Sequence, residues 1–143
     1  MSKAVFREHF EQIWNNKDIS AIERFIAPNY RGFDAAELIS GIEGYKRHFV
    51  TLTTAFPDTR LTIKALLEEA DRVTARWFFE GTHAGNLGDI PPTGKRVHMT
   101  GIAIARIVNR QLVEEHANSD VLGLMRQLGP SIPASVKVPP LFF

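Results

Sequence analysis

In the stretch from Gln111 to Asp120, Leu112, Glu114, His116 and Asn118 fall on alternate positions, and Asp120 continues their parity. If the stretch is a β-strand, its pleat carries all these side chains to one face. Two carboxylates, an imidazole and an amide on one face make proton transfer the chemistry to consider. A carboxyl group that lines a dry cavity is desolvated and its pKa rises toward the operating pH. It can then take a carbon-bound proton and return it to an oxygen. His116 beside Asp120 would orient that acid, or donate to a carbonyl where negative charge develops. The same residues also have a plainer use. An antiparallel sheet commonly has one solvated face, and an acid between a strand and a helix caps the helix. The burial of Asp120 decides between these uses.

A second group lies upstream. Val73, Ala75, Trp77, Phe79 and His83 share one parity, so Trp77 and Phe79 fill a core or form a pocket wall, and His83 stands at a pocket mouth beside a Gly-rich loop. His98, Thr100 and Ile102 share a side of the next strand, whose facing is open because Gly101 is a candidate bulge. A metal site from His83, His98 and His116 matches no local ligand spacing. No metal or other cofactor is expected.

These residues need elements to position them. Ser2 caps a helix that runs to about Asn15, with Val5, Phe6, Phe10, Ile13 and Trp14 on one face. Asp18 caps a second, short helix carrying Ile19, Ile22, Phe25 and Ile26 on its buried side and ended by Pro28. Tyr30 to Asp34 reads as a short strand or bend. Ile42, Tyr45, Phe49, Leu52 and Phe56 mark a third helix closed by Pro57-Asp58. The period then changes to two. Leu61 to Leu67 and Val73 to Phe79 form a hairpin turning at 68–71; 96–108 and 111–118 form another turning at Asn109-Arg110. Val121 to Leu128 makes a last helical stretch stopped by Gly129-Pro130. Helices first and antiparallel strands second predict an α+β fold with the helices on one face of a curved sheet. Residues 1–130 form one domain and 131–143 a proline-rich tail, of which Val136 to Phe143 is expected to latch over a partner or cover a pocket mouth.

Composition narrows the function. With 143 residues, 44% hydrophobic and a net charge of +1, the chain has an ordinary globular makeup. Its Lys and Arg residues are scattered among acids, so nucleic acid is not an expected partner. The absence of cysteine excludes thiol chemistry and disulfides. No run approaches the roughly 18 apolar residues of a membrane span, and the first twelve residues lack a signal-peptide core, so a cytoplasmic protein is expected. Phosphate-loop, dinucleotide, nucleophile-elbow and zinc-protease motifs are all missing.

Several stretches together resemble the SnoaL-like polyketide cyclases, or ester cyclases, of the nuclear transport factor 2-like superfamily. They are Phe10 to Asn15 with its Ile-Trp-Asn, Gly41-Ile-Glu-Gly44, Ala55-Phe-Pro-Asp58, Gly81-Thr-His83, the loop Gly88 to Lys95, and Asp120 to Gly129. The resemblance implies an α+β cone, a strongly curved antiparallel sheet packed with N-terminal helices around a central pocket, and an intramolecular aldol ring closure of a polyketide-like ester, or a related proton transfer on a small apolar carbonyl compound. It implies Asp120 as acid/base, beside which the residues themselves offer His116 as an assistant, and a pocket of Phe33, Trp77 and Ile102 with His83, Glu114, His116 and Asn118 as polar anchors. It also implies a homodimer through the sheet, with Val97, Ala103 and Val113 suited to the contact. Two departures stand out: Asn109-Arg110-Gln111 replaces a Gly-Lys turn, and His116 stands at a tryptophan position. The superfamily also contains isomerases, hydrolases and proteins that only bind, so a non-catalytic small-molecule binding protein is the alternative.

Overall fold

A computed structural model describes residues 2–34, 37–129 and 138–143. Helix α1 (Ser2–His9) continues without a break into a π-helical stretch, Phe10–Asn15, as the periodicity of its apolar face predicts. Val5, Phe6, Phe10, Ile13 and Trp14 are buried. Asn15 ends the stretch by copying a strand edge: its amide donates to Leu61 O at 3.0 Å while its carbonyl oxygen accepts from Leu61 N at 2.7 Å. The Asp18 carboxylate caps a 3₁₀ turn, Ile19–Ala21, that leads into α2 (Ile22–Phe25). Here the expected boundaries shift: Ile19 is exposed, and the chain is already extended at Ile26, so Pro28 lies inside a strand.

That strand, β1 (Ile26–Asp34), and the short β2 (Glu37–Ser40) precede α3 (Gly41–Ala55). Strands β3 (Arg60–Glu69), β4 (Arg72–Thr82), β5 (Arg96–Val108) and β6 (Gln111–Ser119) follow, and α4 (Val121–Leu128) closes the order. All six strands form one sheet in the order β2-β1-β6-β5-β4-β3. Every neighbouring pair is antiparallel except β1 with β6, which is parallel. The α+β expectation stands, with β2 and the parallel pair as additions. Asn109 and Arg110 both take left-handed φ values of 51° and 62°, the conformation that lets a two-residue turn follow the twist of its flanking strands.

One face of the sheet packs on α1, the π-helical stretch and α3; the other is exposed. Val73, Ala75, Trp77 and Phe79 of β4 and Val97, Met99, Gly101, Ala103 and Ala105 of β5 point inward. Gly101 is not a bulge. It pairs with Trp77, and a Cβ there would stand 2.0 Å from the indole Cζ2, so glycine lets the indole lie across β5. Val97 and Ala103 are therefore interior residues, and the outward apolar side chains of β5 are Ile102 and Ile104. The loop after α3 is tied to the sheet at Asp58, which accepts from Thr82 N and Oγ1 at 2.7 Å each and pairs with Arg96 at 3.0 Å.

Candidate active site

The last strand carries the polar residues that the sequence points to, but it turns them the other way. Arg106 pairs with Glu114 whereas Ile107 pairs with Leu112, so Val113 is an extra residue on β6. This bulge breaks the strict alternation. Upstream of it Leu112 is buried; downstream Glu115 and Ala117 are buried while Glu114, His116 and Asn118 face outward.

The expected set therefore divides between two faces. Glu114 and His116 pair with each other at 2.9 Å on the outer face, with 40% and 57% of their side chains exposed. The His116 hydrogen bond holds the Glu114 carboxyl below the usual glutamate range. The His116 ring stacks on half-buried Phe33 at 4.7 Å, and the Arg31 guanidinium lies 5.2 Å from the Phe33 ring. Ile102, expected in a pocket wall, is 50% exposed and pairs with Asn118 on this face. Asp120 is exposed at the start of α4, where its carboxylate accepts from Gly123 N at 3.0 Å as a helix N-cap. Beside it Arg76, Thr100, Ile102 and Asn118 border a shallow cleft of about 220 Å³. His98 also faces outward, stacked on Phe78 and held by Gln127 through its backbone N–H and carbonyl.

Trp77 lies inside, and His83, expected at a pocket mouth, is fully buried. The His83 Nδ1 meets Thr93 Oγ1 at 3.0 Å, its Nε2 has no protein partner, and burial pulls its pKa down. Among the described residues no cluster of His, Asp or Glu is arranged to hold a metal ion.

The interior instead contains Glu115. Its side chain is fully buried; Oε1 accepts from the Tyr30 hydroxyl at 2.8 Å, and Oε2 has no protein partner. Desolvation pushes its pKa up to about 8, against the lowering effect of the Tyr30 hydrogen bond. Tyr30 is edge-on to Tyr45 at 5.3 Å, and the Tyr45 oxygen accepts from Trp14 Nε1 at 3.0 Å. Both phenols are held far above the usual tyrosine range by burial, and so stay neutral donors. His48 continues the row, 6.2 Å from the Tyr45 ring, with a pKa lowered by burial to about 4. A neutral imidazole, two phenols and a carboxyl with one free oxygen thus line one wall of an aromatic interior. Such a wall can donate to a carbonyl and exchange a proton with a neighbouring carbon.

Two sequence signals pointed to this wall. Tyr45 and His48 lie on the inner face of the third helix's periodicity. Glu115 could be found only by allowing for the bulge.

The model of the SnoaL-like polyketide cyclase family matches residues 4–128. Nogalonic acid methyl ester cyclase from Streptomyces nogalater is 28% identical over 117 residues, spanning 78% of this chain and 86% of that protein. The structure of TsrD from Streptomyces laurentii superposes with a TM-score of 0.80 at 32% identity, covering 90% of this chain and 95% of that one. A SnoaL-like polyketide cyclase from Agrobacterium tumefaciens shares the fold, with a TM-score of 0.76 at 22% identity over 90% and 98% of the two chains. The bent sheet closed by α1 and α3, the match through nearly the whole chain and the agreement with solved relatives place this protein in the SnoaL-like polyketide cyclase family.

Proposed function

We propose that the chain is a cofactor-independent cyclase that closes a ring by intramolecular aldol addition in a polyketide-like ester, and that Glu115 is its acid/base. The observation that carries this reading is the free Oε2 of a fully buried carboxyl whose other oxygen is fixed by Tyr30. As a carboxylate, Glu115 takes the proton from the carbon between two carbonyls. The carbanion forms the new C–C bond to a ketone carbon, and the proton passes from Oε2 to the resulting alkoxide. His48 N–H is suited to hold a substrate carbonyl, and aromatic walls at Trp14, Trp77 and Phe79 to hold the chain folded. With a pKa of about 8, the base form grows as pH rises toward 8, so kcat/KM is expected to climb through that range.

A second reading keeps the acid/base at Asp120 with His116 nearby, on the observation that Asp120 and Asn118 border the outer cleft with Arg76. Assaying nogalonic acid methyl ester with Glu115→Gln and Asp120→Asn side by side separates the two. A loss of about 10²-fold or more in Glu115→Gln alone supports the interior site. The same loss in Asp120→Asn alone moves the chemistry to the outer cleft. Ester binding without turnover in the unaltered chain leaves a small-molecule binding protein.

The sheet's outer face, with Ile102 and Ile104 exposed at 50% and 44%, is suited to pair with a second copy, so the proposed form is a homodimer.

A further inference from the structure

The space beside Glu115 is filled by the chain itself. Leu141, Phe142 and Phe143 are at most 1% exposed, yet they belong to no helix or strand, so no backbone ladder holds them. They are held as a ligand would be. The Phe142 carbonyl accepts from His48 Nε2 at 2.6 Å, and its ring stacks on that imidazole at 4.9 Å. The Phe143 ring stands edge-on to Trp14 and Trp77 at 5.0 and 5.2 Å and stacks on Phe79 at 5.3 Å. At the rim, Leu141 N donates to Asp34 Oδ2 at 3.1 Å and Ser119 Oγ donates to Leu141 O at 2.7 Å.

The occupied space adjoins the proton-transfer pair. The Tyr30 hydroxyl and Phe142 Cζ both lie within 3.0 Å of the point where a Cβ on Gly32 would stand, and Gly32 pairs with Glu115 across the parallel strands. Glycine at 32 thus makes room for the Phe142 ring against Tyr30. If the segment leaves, His48 N–H loses its acceptor and an aromatic cage loses its filling, and both cost free energy in a dry interior until something replaces them. A flat two-ring aromatic ketone or ester supplies both.

We propose that Leu141–Phe143 is a built-in occupant of the interior site, displaced when an aromatic ketone or ester puts its carbonyl on His48 and its rings among Trp14, Trp77 and Phe79. This rests on the interior location of the site argued above, but not on turnover. The segment acts as a competitor present at a fixed local concentration, so the apparent ligand affinity is the intrinsic affinity reduced by the fraction of molecules with the segment out. Weakening the segment's grip raises that fraction.

The test is binding of 6-propionyl-2-dimethylaminonaphthalene, a two-ring ketone whose emission moves to the blue in apolar surroundings. Phe143→Ala is expected to bind it at least tenfold tighter than the unaltered chain. Equal affinity in the two, or weaker binding by Phe143→Ala, overturns the proposal. Should Phe143→Ala lose its helical circular dichroism, amide hydrogen exchange in the unaltered chain decides instead. Faster exchange at Leu141, the amide held by Asp34, on saturation with the ketone supports displacement. Unchanged protection with the ketone bound, or no binding at millimolar ketone, overturns it. Because Glu115→Gln is expected to abolish turnover and leave this displacement intact, a failure of either reading shows separately.

Discussion

The Tyr30 hydroxyl donates to Glu115 Oε1 at 2.8 Å across two strands that run parallel, joining positions 85 residues apart in sequence. One long connection, running through β2, α3, β3, β4 and β5, must close before this bond can form, and it fixes both strands at the point where the interior is most polar. Burial keeps the phenol neutral and the carboxyl protonated near neutral pH. Several expectations follow from that electrostatic arrangement and from the packing around it.

Stability should pass through a maximum at about pH 6.5. Glu115, with its pKa raised to about 8, binds more protons folded than unfolded between about 4.5 and 8, so its contribution is lost as pH rises through that window. His9 and His48, lowered to about 4, bind fewer protons folded than unfolded between about 4 and 6.5, so stability is lost as pH falls through that one. Urea midpoints measured from pH 4.5 to 8.5 should show both limbs, and Glu115→Gln should flatten the alkaline one, whose slope is at most about 1.4 kcal/mol per pH unit. A variant that keeps the alkaline limb would assign it to another group.

Asp120→Ala and Asp120→Asn should part company. Alanine removes the bond to Gly123 N and costs about 1 kcal/mol, whereas asparagine caps nearly as well as aspartate. Thermal melts of the two variants measure the difference. Comparable losses in both would mean that the charge, rather than the cap, is what α4 needs.

Gly101→Ala should be among the most damaging small substitutions. Its Cβ would meet Trp77 Cζ2 at 2.0 Å, so the indole must turn and its contact with Phe143 goes with it. A loss of about 2–3 kcal/mol is expected from such overpacking, with a changed near-ultraviolet dichroism of tryptophan. An unaltered melting temperature would contradict the described packing.

Tyr45→Phe should cost about 1–3 kcal/mol although it removes one oxygen, because Trp14 Nε1 then has no acceptor in a dry interior. Chemical denaturation reads this directly. Trp14→Phe with Tyr45→Phe should cost less than the sum of the two single changes.

Ile104→Glu should convert the proposed homodimer to a monomer while leaving the interior undisturbed, since its side chain lies on the exposed face. Sedimentation velocity would reveal the change. A monomer in the unaltered chain would remove the sheet-to-sheet pairing altogether.

Much of this architecture was legible in the sequence. The apolar period of 3.6 marked α1 and α3, and strict alternation marked β4, whose inward Val73, Ala75, Trp77 and Phe79 are the residues that it named. Alternation failed in β6 because one inserted residue, Val113, shifts every later side chain by half a pleat. The polar face around His116 was therefore assigned inward when it is outward, and Glu115 was passed over. Gly101 read as a bulge because a glycine in a strand has two uses, and the one found here depends on an indole on the neighbouring strand. The seating of Phe142 and Phe143 had no local signal at all. A proline-broken apolar stretch carries no period, and what holds it, His48 and Asp34, lies about a hundred residues upstream.

The bulge in β6, rather than residue type, selects which polar residues this fold presents to its interior. Deleting Val113 would seat Glu114 directly after Leu112 and keep it facing out with Glu115 in, whereas drawing Val113 into the ladder would turn Glu114 and His116 in and Glu115 out. One strand thus stores two polar constellations in the same nine residues, and a one-residue shift in register exchanges them.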